Sequence, residues 1–408
     1  MYRLILSIVV SFCLINKVKS QQLTYNYIDS LSYQQYIHEQ WDSLLQTSNM
    51  AKKANIAFPL LNMRVGYAAL MKNNHSLSLQ QYNKALAWNS YNQDALYFVA
   101  LNNSLLSRNE AASYMSKNLN VEAKKQLGMI DKKAVQNLDF ESSFKSNSTE
   151  DRRLGQYYRI GIGSKINYRW KLYQSIAIYR QNLLLATNTL RPPPRNSSAP
   201  DAPMMRNFLV ADFQYYVKSE IFINSKLSFI NAFHFINTNF DNSHYATAIF
   251  NCGLKITQPF ADFKIEFNAG TMIDSLIAQA AFSSTYFPFG NTSFYGNSRF
   301  SFQKRTNLSQ FNYSQMFGFK LNRKIWLETH ATLGEIKNLI DDETFYIYDA
   351  LDPGKFRIGS SIILPLTPMF KLSANYYYEQ KKLYLQNSSG GYRNYNLNSF
   401  SIGLSWKL

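Results

Sequence analysis

The sequence predicts a two-part α+β chain. A short α-helical repeat domain precedes an antiparallel transmembrane β-barrel of about fourteen strands, with roughly twelve to sixteen compatible with the pattern. Three observations predict it. Apolar residues recur with a period of two from about residue 137 to the last residue. A pattern of about 34 residues recurs between residues 30 and 125. One apolar run lies at the amino terminus, too short to cross a membrane comfortably as a helix, and no other run approaches a spanning length.

The final residues carry the strand signal most plainly. Phe400, Ile402, Leu404, Trp406 and Leu408 alternate with Ser401, Gly403, Ser405 and Lys407. This is a strand with one apolar face, and at the end of a chain it reads as the strand that closes a barrel. The same alternation sets Ile160 and Ile162 against Arg159, Gly161 and Gly163. It sets Leu327, Ala331 and Leu333 against Glu328, His330 and Thr332, and Phe356, Ile358 and Ile362 against Arg357, Gly359 and Ser361. Leu372, Ala374, Tyr376 and Tyr378 alternate likewise with Lys371, Ser373, Asn375 and Tyr377. In a membrane barrel the greasy face meets lipid and the polar face lines a wet lumen. Arg159, Lys165, Glu328, His330, Arg357, Lys371 and Lys407 are therefore the lumen candidates. The cations among them would attract anions, or pair with Glu328 and other wall carboxylates.

Connector lengths give a second test. Tight connections are expected near Asn167, Pro259, Asn322 and Pro365–Pro368, all at one end of the barrel. Long ones are expected over 181–206, 338–354 and 382–395, all at the other. Bacterial barrels keep short turns on the periplasmic side and long loops outside. The C-terminus and the helical domain are then periplasmic.

In the helical part, Tyr33, Tyr36, Ile37, Trp41, Leu44 and Leu45 fall on one helical face, with Ser32 as the expected N-cap. Two repeat copies follow. Gly66, Tyr82 and Ala85 are matched in phase by Ala100, Ser116 and Leu119, and Ser78 by Ala112. Small residues at such positions let paired helices approach closely. The period resembles that of tetratricopeptide repeats. The second copy has Ala100 for the usual glycine, and Ser90 stands where a proline often ends a repeat. The reading is two degenerate repeats after one preceding helix, in all about three helix pairs; an unrelated helical hairpin bundle is the alternative. Lys124, Lys125, Lys132 and Lys133 mark a solvated linker helix.

Arg3, the run Leu4–Ile15 and Val18-Lys19-Ser20 lay out a secretory signal with cleavage after Ser20. The domains are then 1–20, signal; 21–135, helical domain and linker; and 136–408, barrel. Phe12 is too large to precede a lipid-modified Cys13. Only Cys252 would remain, so no intramolecular disulfide is expected, and Cys252 reads as a small packing residue inside a strand.

Tyr and Phe number 29 each, which suits interfacial aromatic girdles. The formal charge of +17 falls to about +14 when Arg3, Lys17 and Lys19 leave with the signal. A secreted basic chain points to lipopolysaccharide, outer-membrane lipid or a basic lumen, not to nucleic acid. Pro192-Pro193-Pro194, between Arg191 and Arg195, marks an exposed outer loop. Asp341, Asp342, Glu343, Asp349 and Asp352 form a second one. Their spacing matches no EF-hand, so a solvated acidic loop is expected and no metal site. Gly390-Gly391 marks a turn in the last outer loop.

No metal-ligand spacing of the HExxH or CxxC kind and no P-loop is present. His234 and His330 lie in strands on lumen-facing positions, with no Ser and Asp pattern beside them. A non-enzymatic chain without a cofactor is expected. The order of signal segment, tetratricopeptide-like repeats and terminal barrel resembles YaiO-type outer-membrane proteins, most familiar in Bacteroidetes. The resemblance implies transport or secretion of a polar or glycan substrate, and a periplasmic protein partner on the repeats. A non-conducting outer-membrane anchor and a barrel enzyme acting on lipid or glycan are the alternatives. A soluble all-β protein is the structural rival.

Overall fold

The computed structural model describes residues 23–129, 134–187, 204–241, 243–273, 275–305, 308–322, 324–348, 352–384 and 392–408. The signal segment, Lys132 and Lys133, the proline-rich run, Asp349 and Gly390-Gly391 lie outside the described residues. Two compact units divide between Asn102 and Asn103.

The helices run α1 (Tyr25–Ile37), α2 (Trp41–Lys53), α3 (Pro59–Met71), α4 (His75–Trp88), α5 (Gln93–Leu105), α6 (Asn109–Ser116) and α7 (Val121–Gln126). Thr24 caps α1, accepting from the Tyr27 amide, and Asn74 caps α4, accepting from Leu77. Ser32 is therefore not a cap. It sits buried in mid-helix, donates to Asp29 O at 3.0 Å and accepts from Arg64 Nη1 at 2.8 Å. The single helical face expected over residues 33–45 is also broken, because Glu39 takes a left-handed φ of 56° between α1 and α2. The same backbone conformation recurs at Asn73 and Ser107, each 34 residues on. Helix starts keep that interval too: Tyr25, Pro59 and Gln93 for one set, Trp41, His75 and Asn109 for the other. The helices thus form three pairs of one period, and the segment read as a lone preceding helix is the first pair. Ser32, Gly66 and Ala100 occupy one phase of it, all buried.

Gly66 shows why that position is small. A Cβ there would lie 2.8 Å from the Tyr82 ring, which itself stacks on Phe98 at 4.7 Å. Gly66→Val should cost the helical unit about 1–3 kcal/mol by overpacking, read as a lower midpoint of the helical circular-dichroism transition.

The second unit carries α6 and α7 and then a closed antiparallel ring of fourteen strands. They are β1 (Val135–Asn147), β2 (Gly155–Lys165), β3 (Trp170–Thr187), β4 (Met204–Phe222), β5 (Leu227–Phe240), β6 (Ser243–Thr257) and β7 (Ala261–Met272). Then follow β8 (Ser275–Tyr286), β9 (Phe294–Arg305), β10 (Leu308–Lys320), β11 (Trp326–Gly334), β14 (Gly354–Pro365), β15 (Phe370–Tyr384) and β16 (Tyr392–Lys407). The short strands β12 (Ile340–Asp341) and β13 (Tyr346–Ile347) form a hairpin of their own between β11 and β14. β16 pairs with β15 on one side and with β1 on the other, Phe400 opposite Phe144 and Trp406 opposite Leu138, and this closes the ring.

Alternation places the side chains. Phe140, Ile160, Ile176, Phe213, Phe267, Phe300, Ile358 and Ile402 point outward and are exposed. Ser143, Ser175, Asn251, Glu266, Asn268, Gln279, Arg299, Gln303, Glu379 and Ser401 point inward and are buried. This is the reverse of a soluble barrel. Cys252 stands on the exposed face between Phe250 and Leu254, so it is not the packing residue expected. Period-two alternation fixed its side, and a thiol is apolar enough for the greasy one.

The connectors at residues 166–169, 223–226, 258–260, 321–325 and 366–369 are short and share one rim. The strand ends joined by 188–203 and by 335–353 share the other. That second rim is uneven. β5 and β6, β7 and β8, and β9 and β10 are separated there by only two residues each, with Asp241 and Ile273 at positive φ as tight hairpins require. At the short-turn rim, Arg108 pairs with Asp262 at 3.0 Å and donates to Gln258 O at 2.7 Å, while Glu110 pairs with Lys171 at 3.3 Å. Tyr114 packs on Phe222 and Tyr168.

Candidate functional site: a hairpin inside the lumen

The acidic segment between β11 and β14 departs most from expectation. Over its described residues 335–348 it is not a solvated outer loop. It turns into the barrel, and its side chains meet the wall strands. Two influences decide this. Its carboxylates match inward cations that sequence reading did not single out, and its apolar residues find inward apolar partners.

The hairpin pairs Ile340 with Ile347 and Asp341 with Tyr346. Its tip, Asp342-Glu343-Thr344, is left-handed throughout, with φ of 48°, 51° and 67°. A left-handed non-glycine residue costs on the order of 1 kcal/mol, so the wall must hold the tip. His234 on β5 donates from Nδ1 to Thr344 O at 2.6 Å, and Tyr216 on β4 donates to Glu343 O at 3.3 Å. Lys218 reaches the Glu343 carboxylate at 2.9 Å, and Lys264 binds its other oxygen. Arg299 bridges Asp341, at 3.0 Å, and Glu266 on the wall. Gln279 donates to Ile340 O at 2.6 Å and accepts from the Ile340 amide at 3.2 Å. The Ile340 side chain enters a buried cluster of Ile249, Met272 and Ile277. Phe345 lies under the Arg159 guanidinium, 4.7 Å from its ring centroid, and edge-on to Tyr216 at 4.9 Å. At the base of the segment Asp352 binds Arg152 at 3.0 Å and accepts from Tyr395 at 2.8 Å.

The hairpin separates two spaces. A cavity of about 840 Å³ is lined by Asp341, Asp342 and Phe345–Tyr348 together with Lys145, Arg152, Tyr157, Tyr179, Tyr377 and Tyr395. A second, of about 300 Å³, is lined by Asp342, Glu343, Phe345, Lys171, Lys218 and Glu110 toward the short-turn rim.

Burial alone would raise the Glu343 carboxyl, but the ammonium groups of Lys218 and Lys264 overcome it and hold the group well below the usual carboxylate range. A carboxyl depressed by docking stabilises the docked hairpin above its free value of about 4.3, and the gain is lost as pH falls through the docked value. Glu343's contribution to docking is therefore full at neutral pH and lost in acid, while Asp342, whose carboxyl burial and the Glu343 charge push up to about 7, contributes with the opposite sign. In an Asp342→Asn background, amide exchange at Asn338 and Tyr348, corrected for intrinsic rate, should accelerate at pH 3.5 relative to pH 7. Glu343→Gln should remove most of that pH dependence.

Of the expected lumen residues, Arg159 pairs with Glu141 at 2.8 Å, and Tyr173 is a second partner. Arg357 pairs with Glu379 at 3.4 Å and stacks on Tyr377 at 3.8 Å. Tyr377 lies flat over Gly359, where a Cβ would be 2.3 Å from its ring, so the glycine makes room for the stack. Glu328 accepts from Tyr295 at 2.5 Å and stands 3.7 Å from His330. Lys165, Lys371 and Lys407 lie near the short-turn ends of β2, β15 and β16, away from the hairpin. Ser361 Oγ lies 3.4 Å from His330 Nε2, and Glu328 approaches the same nitrogen. A nucleophile and an orienting carboxylate must engage opposite ring nitrogens, so this trio is not a proton-relay triad. Gly66, Ser78, Tyr82, Ala85, Ala100 and Ala112 are buried within helices. Among the described residues no group of three or more His, Cys, Asp or Glu is placed to hold a metal ion, and no helix is long and apolar enough to cross a membrane.

Lys218, Lys264 and Arg299 were missed although each sits on the polar phase of an alternating strand. Ile265 and Phe267 flank Glu266, and Phe300 and Phe302 follow Arg299. What the sequence lacked was any sign that distant carboxylates would come to them.

No protein-family model matches the chain, and no curated protein matches it at a significant level. Among solved structures, it is similar to the Pseudomonas putida toluene transporter TodX, with 6% identity, 69% of this chain and 90% of that one covered, and a TM-score of 0.45. It is also similar to the CymD monoaromatic hydrocarbon channel, with 8% identity, 74% and 92% covered and a TM-score of 0.47. A Pseudomonas aeruginosa FadL homologue matches at 10% identity, 76% and 93% covered and a TM-score of 0.41. The likeness is weak, and nothing about this chain's substrate follows from it.

Proposed function

We propose that the chain is an outer-membrane barrel that passes polar solutes through a lumen stoppered by its own acidic hairpin. The observation that carries this reading is the inverted barrel: large apolar side chains exposed around the outside, with charged and polar ones facing a lumen within. Water would not tolerate so much contiguous apolar surface on a soluble protein, and lipid would. A lumen lined by paired charges and tyrosine hydroxyls suits hydrated solutes such as sugars and acids. The helical pairs are read as degenerate tetratricopeptide repeats on the periplasmic side, offering a protein-binding surface; their 34-residue interval in helix starts supports this. YaiO-type proteins remain the family this order of parts resembles.

The stopper itself favours a second reading, a barrel that anchors the repeats and never conducts. Planar-bilayer recording separates the two. Discrete opening events by the purified full chain support transport. A silent barrel that stays silent after residues 339–348 are replaced by a Gly-Ser linker would leave the anchor.

A further inference from the structure

The lumen holds a carboxylate-binding site whose present occupant belongs to the chain. Lys218 on β4 and Lys264 on β7 come from opposite sides of the Glu343 carboxylate and take one oxygen each. Neither lysine is on a neighbouring strand of the other, so their convergence is made by the curvature of the wall and not by local sequence. Arg299 completes the group, shared between Glu266 and Asp341. The wall keeps its own countercharge low here. Glu266 pairs with Lys264 and Arg299, and Glu220 accepts from Ser228 at 2.8 Å. Three wall cations thus face two wall carboxylates, and the excess charge is positive. The hairpin's Asp341, Asp342 and Glu343 reverse that sign.

We propose that this Lys218–Lys264 pair is the selecting site for carboxylate-bearing solutes, and that Glu343 occupies it as a stand-in for the substrate while the barrel is stoppered. The inference rests on the transport reading and names its substrate class. Withdrawal of the hairpin uncovers two ammonium groups already spaced for one carboxylate. An incoming acid replaces Glu343 charge for charge, and the pore changes from cation-attracting to anion-attracting as it opens. Asp342, exposed and lining both cavities, offers a face from which competition can begin.

The test uses the full chain in planar bilayers, with residues 339–348 replaced by a Gly-Ser linker and, separately, with Glu343→Gln. Heat-modifiable gel mobility checks that each barrel is closed. Under a KCl gradient both variants should show a reversal potential of anion preference. Glucuronate should block the current, while glucose at equal concentration should not. Lys218→Gln with Lys264→Gln in the linker background should weaken the glucuronate block about tenfold or more while conductance persists. Inorganic phosphate serves as a second anion: equal block by phosphate and glucuronate would overturn carboxylate selection. A conducting variant with no anion preference, or a block untouched by the lysine replacements, would overturn the site and leave the transport reading standing. No conductance from any closed barrel would overturn the transport reading, and the site with it.

Discussion

Glu343→Gln should turn a barrel that is shut most of the time into one that is open for much of it. The expected size comes from what the substitution leaves behind. Glu343 is buried, and its carboxylate answers two ammonium groups, one of them Lys264, which is also close to Glu266 at 3.4 Å. Removing one partner of a buried ion pair costs about 3–5 kcal/mol, because the remaining charge is left without compensation. Water in the lumen softens that, so a loss of roughly 2–3 kcal/mol is expected, equivalent to about a 30- to 160-fold rise in the undocked population. Single-channel open probability reads this directly. Asp352→Asn should act in the same direction and more weakly, because it loosens the Arg152 contact at the base of the segment and not the strained tip. An open probability unchanged by both would mean that apolar contacts of Ile340 and the backbone bonds from Gln279 and His234 hold the hairpin without help from charge.

How far these features were legible in the sequence follows from their range. A strand writes its orientation every second residue, so the ring, its closing strand and the outward set of Ile160, Ile358, Phe400 and Ile402 could be read locally. The helical period is legible because helix pairing demands a small residue at a fixed phase, but in the first copy that residue, Ser32, also reads as a cap. Serine serves both roles. Only the neighbouring Arg64, 32 residues away, shows which one it plays here. The break at Glu39 carries no glycine or proline, so no local signal announced it. The hairpin was illegible for a different reason. Asp341, Asp342 and Glu343 between strands look like any hydrated loop. Their partners Lys218, Lys264 and Arg299 lie 42 to 125 residues away in sequence, on strands whose polar face is full of other candidates. Complementary charge at such separation becomes visible only when the ring has closed.

A basic residue placed on the outer face should be as damaging as one on the inner face is tolerable, and the contrast decides which face meets lipid. Ile160 stands at the middle of β2, opposite Phe140 on β1 and Ile176 on β3, and all three are exposed outward. If that belt lies in hydrocarbon, Ile160→Arg must bring a guanidinium to the bilayer midplane, at a cost of about 2–4 kcal/mol. Equilibrium unfolding in urea from lipid vesicles measures it, and the loss should shrink toward about 1 kcal/mol or less for Ile166→Arg, beyond the end of the strand at the short-turn rim. A soluble barrel would give the opposite ordering of faces, because an exposed isoleucine in water accepts arginine at almost no cost. The inner wall already holds Arg159, Arg299 and Arg357, each with a carboxylate within reach. Depth dependence on the outer face alone is therefore the signature to look for. It arises from the thickness of the hydrocarbon layer and not from any contact within the protein.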